Sequence, residues 1–319
     1  MDVVISHKSA LAYWRGFRGD PKANRLMRRP AAMERPVPMG AEILAELESL
    51  GFFATPERPL DLLFSSDGVR SRSKRVVAHS ISRPLPSGSL IRLSEHVAIT
   101  SPELTFALVG ELYPFGQYLM AGCELCSTYR VLDESGKPLG RPDERVQVTS
   151  GRKLKEMVEK LELSQTAIAA RGASYVIDGA ASPMEAKVAL LLCLPTRLGG
   201  FGLPRPTLNA PLDLSEEAYA VYPHSPCRMD LYWESAKLDV EYDGEEAHTG
   251  ALHAKDVARA VALRIEGVDV LAVSKQQVYD RKAFAALAKE IASKLGKQMR
   301  IRVPDFEGKQ LRLRRELAV

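Results

Sequence analysis

A mixed α/β protein is the fold class this sequence predicts, and three observations carry it. Runs with helical spacing alternate with short strand-like runs along the chain. In the last third the order is helix, strand, hairpin pair, helix, strand; a helix between two strands implies a crossover, and so a mixed central sheet flanked by helices. A polar stretch rich in Gly and Pro (DESGKPLGRPDER, 133–145) precedes that third and reads as a linker. The expected organisation is an α+β domain over 1–145, a helical linker over 146–181, and an α/β domain over 182–319 that ends in a basic tail.

The elements follow in order. Ser6 is placed to cap a helix running to Phe17. A second helix, Met39 to Leu50, carries Ile43, Leu44, Leu47 and Leu50 at helical spacing and stops at Gly51. Leu60 to Phe64, Arg75 to Ser80 and Ser89 to Leu93 read as short strands punctuated by Pro84, Pro86 and Gly88. Ser101-Pro102-Glu103 is a capped helix start. A charged helix (Gly151 to Leu161) and an Ala-rich one (Thr166 to Arg171) make up the bridge.

Ser182-Pro183-Met184-Glu185 opens a helix that runs to about Leu194. Arg205 to Leu212 reads as a strand, followed by a loop to Pro226. Arg228 to Trp233 and Lys237 to Tyr242 form a hairpin turning at Glu234-Ser235-Ala236. Leu252 to Glu266 is a helix ended by Gly267, Val268 to Val273 is a buried strand, and Lys275 to Lys294 is a last helix.

Composition narrows the class. With 45% hydrophobic and 26% charged residues, the chain reads as a soluble globular protein long enough for two cores. No stretch approaches a membrane span or a signal-peptide core, so a cytoplasmic protein is expected. Cys123, Cys126, Cys193 and Cys227 are too few and scattered for a disulfide scaffold. Cys123-x-x-Cys126 matches half of a zinc site, but no other half is visible, and packed core thiols are the expectation. The net charge of +4 permits nucleic-acid binding without demanding it. Arg70, Arg72, Lys74 and Arg75 cluster, as do Arg300, Arg302, Arg312, Arg314 and Arg315; these are the candidates for gripping a phosphate backbone.

Asp230 sits within the first hairpin strand, and Glu241 and Asp243 near the end of the second. Carboxylates inside apolar strands are costly unless paired, hydrogen-bonded or bound to a cation. A turn at 234–236 brings Asp230 to roughly 5 Å or somewhat more from Glu241 between Cβ atoms. Two such carboxylates offer the oxygen ligands of Mg²⁺, an ion that activates water and neutralises charge on a phosphodiester. Gly244 lets the chain turn away and leaves the strand end open.

Taken together, Ser182-Pro183-Met184-Glu185, Arg228-Met229-Asp230, Val240-Glu241-Tyr242-Asp243-Gly244 with His248, and Asp256 with Arg259 resemble one family over about 100 residues. It is the family of unknown function grouped with the very-short-patch repair endonucleases, inside the PD-(D/E)XK superfamily. The resemblance implies a Mg²⁺- or Mn²⁺-dependent DNA endonuclease fold. It implies Asp230 and Glu241 as metal ligands, Glu185 as an accessory carboxylate, and Asp243 and His248 completing the site. Asp243 stands where the superfamily carries a lysine; Lys187, Lys237 and Lys255 are the candidates to replace it. Asp256 and Arg259 are expected to form a surface ion pair.

The first block resembles a second family, the AbiEi-like proteins of abortive phage infection. The residues that carry this are Ile5-Ser6-His7-Lys8-Ser9-Ala10, Val77-Ala78-His79-Ser80, Leu85-Pro86, and His96-Val97-Ala98-Ile99-Thr100-Ser101-Pro102-Glu103. The winged helix that precedes such a block in that family is expected to be missing here, since the sequence opens directly on the matching element. His7 and His79 are expected to serve structure. The resemblance implies a role in phage defence or DNA repair, with DNA as partner and a toxin or defence-system protein as a second candidate. The alternative it raises is a non-catalytic regulator or antitoxin whose nuclease fold has degenerated.

Overall fold

Residues 3–19, 25–26, 40–65, 73–133, 137–161, 166–243 and 250–319 are described by a computed structural model, without the side chains of 25, 26, 140–142 and 250–256. Arg70, Arg72, Gly244 and His248, and the side chains of Lys255 and Asp256, lie outside the described residues. Helices and mixed sheets fill two compact units, residues 1–176 and 177–319.

The first unit holds β1 (Val3–Ile5), α1 (His7–Gly16), β2 (Arg25–Leu26), α2 (Ala41–Ser49), β3 (Leu60–Phe64), β4 (Val76–Ser80), β5 (Leu90–Arg92) and β6 (Val97–Thr100). Then follow α3 (Pro102–Val109), α4 (Phe115–Leu125), β7 (Tyr129–Leu132), β8 (Pro138–Glu144), α5 (Gly151–Lys160) and α6 (Thr166–Ala173). Six strands form a sheet in the order β2-β5-β6-β1-β3-β4, with β1 parallel to β6 and antiparallel to β3. The central β1 (VVI) and β6 (VAIT) are wholly buried. Strands enclosed on both faces read as continuous apolar runs, and ones of three or four residues carry too little period to stand out in a sequence. Trp14 of α1 is fully buried and donates its indole N–H to the Thr100 carbonyl at 2.9 Å.

Ser101 caps α3 as expected, its hydroxyl accepting from the Leu104 N–H. Leu104, Ala107 and Leu108 of α3 pack with Met157 and Val158 of α5 and Ala169 of α6, so the helices of the expected bridge share the first unit's core. The polar stretch after Leu132 is not a linker: β8 pairs antiparallel with β7. Asp143 accepts from Arg130 at 2.7 and 3.0 Å, and buried Arg145 donates to the Trp14 carbonyl at 2.6 Å. Cys123 and Cys126 are buried at the end of α4 and form no disulfide among the described residues.

The second unit contains α7 (Pro183–Cys193), β9 (Thr207–Leu212), α8 (Glu216–Val221), β10 (Cys227–Trp233), β11 (Leu238–Asp243), α9 (Gly250–Ile265) and β12 (Asp269–Ser274). It closes with α10 (Lys275–Tyr279), α11 (Arg281–Lys294) and α12 (Phe306–Leu317). The sheet order is β12-β11-β10-β9, with β10 antiparallel to both neighbours and β11 parallel to β12 through the α9 crossover. The hairpin turns at a 3-10 segment, Glu234–Ala236, where the sequence places it. The expected last helix is two, because Asp280 breaks it and caps α11 through the Ala283 N–H at 2.8 Å. The basic end of the chain is no loose tail. In α12, Leu313 and Leu317 are buried, and Arg314 is only 4% exposed. Its guanidinium lies 5.6 Å from the Phe284 ring and donates to the Val278 carbonyl, which removes it from the phosphate-gripping set.

Candidate functional site

The sheet of the second unit gathers the acids onto one face. Leu231 faces Val240 across the hairpin, so one step further Asp230 faces Glu241. Residues two apart on a strand share a face, and Asp239 therefore lies on the Glu241 side. On the other flank of β10, Ala210 pairs with Met229 and Leu208 with Leu231, leaving Asn209 opposite Asp230. Asn209 has φ +50°, a left-handed conformation that asparagine tolerates better than most residues. Its amide donates to Glu185 Oε2 at 2.5 Å and to the Gly179 carbonyl at 3.0 Å.

Glu185 comes in from the first turn of α7, whose start is set by Ser182 accepting the Glu185 N–H at 3.2 Å. The carboxylate is 6% exposed and also accepts from the Ala181 N–H at 2.8 Å. Asn209 and the Ala181 N–H hold it beside the sheet. The expected acids Glu185, Asp230 and Glu241 thus form one row, with Asn209 as the link.

The row's cation is Arg259 of α9. Its Nη1 lies 2.5 Å from Glu241 Oε2 and its Nη2 2.7 Å from Oε1, a bidentate pair; Nη2 stands 4.0 Å from Asp230 Oδ1. Nη2 also donates to the Arg228 carbonyl. The crossover helix lies against the sheet and turns Arg259 onto it, whereas the side chain of its expected partner, Asp256, lies outside the described residues. Burial works against its charge, but Glu241 and Asp230 outweigh that and raise its pKa. Among the described residues no lysine pairs with Asp230, Asp239 or Glu241. Lys187 donates to the Ala318 carbonyl. Lys237 sits at the hairpin turn, four residues or ~13 Å along the strand from Glu241.

One guanidinium does not balance these acids. Asp230 accepts the Tyr242 N–H at 3.0 Å, yet burial first, then the charges of Glu241 and Glu185, push its pKa up to about 7. Asp239 is fully buried, and among the described residues neither oxygen meets a donor. Its close neighbour is the Glu241 carboxyl, with which it can share only a proton. Burial and that contact hold Asp239 well above the usual carboxylate range, as a neutral acid near pH 7. Asp243 is at the exposed end of β11. Asp239, Asn209 and Arg259 were not singled out as site residues by the sequence reading. The period of two back from Glu241 is the signal that finds Asp239; Arg259 stands in the family motif but with a different expected partner, and no sequence signal marks Asn209.

Chemically, the row is a set of hard oxygen donors with surplus negative charge, the donor type a Mg²⁺-like ion takes. Asp230 and Glu241 are the adjacent pair that could hold it. Among the described residues no three acids, histidines or cysteines converge as a ready-made cage, and Glu241 has both oxygens on Arg259. The other expected DNA contacts are dispersed. Lys74, Arg75, Arg300 and Arg302 are exposed, and Arg312 pairs with Glu316 at 3.0 Å. Among the described residues no helix is long and apolar enough to cross a membrane. Comparison with known protein families, characterised proteins and solved structures finds no match to this chain.

Proposed function

We propose that the second unit is a PD-(D/E)XK-type domain that hydrolyses DNA phosphodiester bonds with Mg²⁺ or Mn²⁺, in phage defence or DNA repair. The observation that supports it is the register pair Asp230–Glu241, half-buried acids beside which Arg259 is the one cation among the described residues. When bound, the ion supplies the Lewis acidity that polarises the phosphodiester and activates water. Asp230 and Glu241 hold it. Asp230 enters as a carboxylate, losing at neutral pH the proton that its neighbours otherwise favour. Glu185 fixes Asn209, and so the backbone opposite Asp230. Arg259 supplies the positive charge that the superfamily takes from a lysine; a guanidinium also pairs with phosphate oxygens through two parallel hydrogen bonds. Lys74, Arg75, Arg300 and Arg302 remain exposed for backbone contacts.

The test is incubation of supercoiled plasmid with the purified chain and Mg²⁺ or Mn²⁺, alongside Asp230→Ala. Nicking or linearisation by the native chain, reduced by roughly two orders of magnitude in the variant, supports the assignment. Equal cutting by both overturns it.

One observation favours a second reading, a non-catalytic AbiEi-like regulator or antitoxin with a degenerate nuclease fold: Arg259 already occupies both oxygens of Glu241. Calorimetric titration with Mn²⁺ separates the two. Saturable heat that vanishes in Asp230→Ala belongs to the enzyme, whereas no heat together with tight DNA or protein binding belongs to the regulator.

A further inference from the structure

The first unit contains a cavity of about 560 Å³, within the size range of small-molecule sites. Its wall is aromatic and apolar. Tyr13 stacks on Phe52 at 5.5 Å between centroids, and Phe53, Val77 and Leu112 are 54%, 40% and 38% exposed around the opening. Large apolar side chains clustered at a concavity, rather than scattered singly, mark a surface that gains by being covered. Two cations line the same cavity, Lys8 and Arg58, and both are exposed. Among the described residues no acid pairs with either. The one acid of the lining, Asp61, is spent elsewhere: Oδ2 accepts from the Ser9 N–H and hydroxyl at 3.2 and 3.1 Å, and Oδ1 lies 2.7 Å from His79 Nε2.

That last contact sets the histidine's tautomer. Ionised Asp61 only accepts, so Nε2 carries a hydrogen, and in the neutral ring Nδ1 is then the acceptor. Behind His79 lies His7, its ring stacked at 3.5 Å and 14°. His7 is buried, tied through Nδ1 to the Ser6 hydroxyl at 2.9 Å, and has φ +45°. A left-handed backbone at a non-glycine helix start costs of the order of 1 kcal/mol and persists where surrounding packing over-determines it, often at ligand sites. His7 serves structure by bracing the ring that the cavity uses.

From flat apolar walls, two exposed cations that no described acid pairs and one oriented imidazole, we propose that this cavity binds a nucleoside phosphate, with the base against Phe53 and Tyr13 and the phosphate on Lys8 and Arg58. Bases stack on aromatic faces whatever their identity, and phosphate takes charge-assisted hydrogen bonds from both cation types. His79 positions one polar group of the ligand. The same chemistry can arrive as a free mononucleotide or as an unpaired nucleotide of a strand.

Calorimetric titration of the full chain with nucleoside 5′-monophosphates, ATP and a single-stranded hexanucleotide tests this. We expect saturable binding by at least one of them. Affinity should fall about tenfold or more in both Phe53→Ala and the Lys8→Ala, Arg58→Ala double variant; these side chains are exposed, and unchanged melting of the free variants verifies their folding. Saturation by mononucleotides identifies a free ligand, and saturation by the hexanucleotide alone identifies a strand. Absence of binding by every probe, or affinity unchanged in both variants, overturns the proposal. The second outcome also covers a strand held only by the carboxylate unit.

Discussion

Each unit buries an aspartate on a strand, and the two titrate in opposite directions. Asp61 on β3 and Asp230 on β10 are both largely removed from water, and burial alone raises the pKa of each. Around Asp61, however, stand donors: the His79 ring, the Ser9 hydroxyl and the Ser9 N–H. They outweigh desolvation, and its pKa falls. Around Asp230 stand Glu241 and Glu185, with one backbone N–H and a guanidinium 4.0 Å away, and its pKa climbs to about 7. Burial, then, does not decide what a carboxylate does; its neighbours do. Asp61 is internally satisfied and orients a histidine, whereas Asp230 retains an appetite for positive charge.

The largest expected effect tests that contrast by pH. Asp230 has its folded pKa raised above its unfolded value of 3.8. The folded state therefore holds a proton that the unfolded chain has released, and stability falls between pH 4 and 7 as that proton is stripped. Asp230→Asn cannot titrate. It should match the native chain at pH 3.5 and exceed it at pH 8 by an amount of the order of 4 kcal/mol, read from urea unfolding. Adding 10 mM Mg²⁺, on the order of magnitude needed to exceed a weak site, should stabilise the native chain at pH 8 and leave the variant unmoved. Parallel pH curves for the two proteins would break the comparison.

Next in size is Arg259→Met. Removing the row's cation leaves Glu241 half-buried and unpaired, and losing one partner of such a pair costs roughly 3 kcal/mol. Asp61→Asn is the counterpart in the first unit. Replacing an ionised acceptor by a neutral amide should cost about 2 kcal/mol at pH 7, the increment of a charge-assisted bond. Here the sign reverses. Asp61's pKa is depressed, so its contribution exists above the unfolded value of 3.8 and disappears as pH falls through the folded one. The gap between native chain and variant should close below pH 4, where that of Asp230→Asn also closes but from the other side. Urea melts of both variants over one pH series measure this directly.

How much of this was legible follows from how local each cause is. The capped start of α7, the hairpin at 234–236 and the pairing of Asp230 with Glu241 rest on turn chemistry and a period of two, which neighbours in sequence fix. Arg259 and Asn209 meet the row only through the packing of α9 and the irregular register of β9, and spacing along the chain does not encode either. The β8 strand was hidden for a different reason. Gly and Pro made 133–145 resemble a linker, while Arg130 and Arg145, the side chains that anchor it, lie before and at its end and read as surface charge. In the first unit α1 to α3, α5, α6 and β3 to β5 were visible, but the short strands β1, β2, β6 and β7 and the helix α4 were not; nor was the cavity, since its wall draws on residues from 8 to 112.

The smallest expected effect compares two serines that look alike in sequence. Ser182 and Ser6 each precede a helix. Ser182 caps α7, its hydroxyl accepting the Glu185 N–H. Ser6 makes no cap to α1, and its hydroxyl lies on His7 Nδ1 instead. Ser182→Ala should therefore cost about 1 kcal/mol, the usual worth of an N-cap, and Ser182→Asp should restore most of it, since aspartate also accepts from a first-turn N–H. At α1 the corresponding N–H, that of Ser9, is already taken by Asp61, so Ser6→Asp should fail to rescue Ser6→Ala. Thermal melts of the four variants check the pair. Rescue at both positions would mean that Ser6 caps after all, and that His7 is held by its ring stack alone.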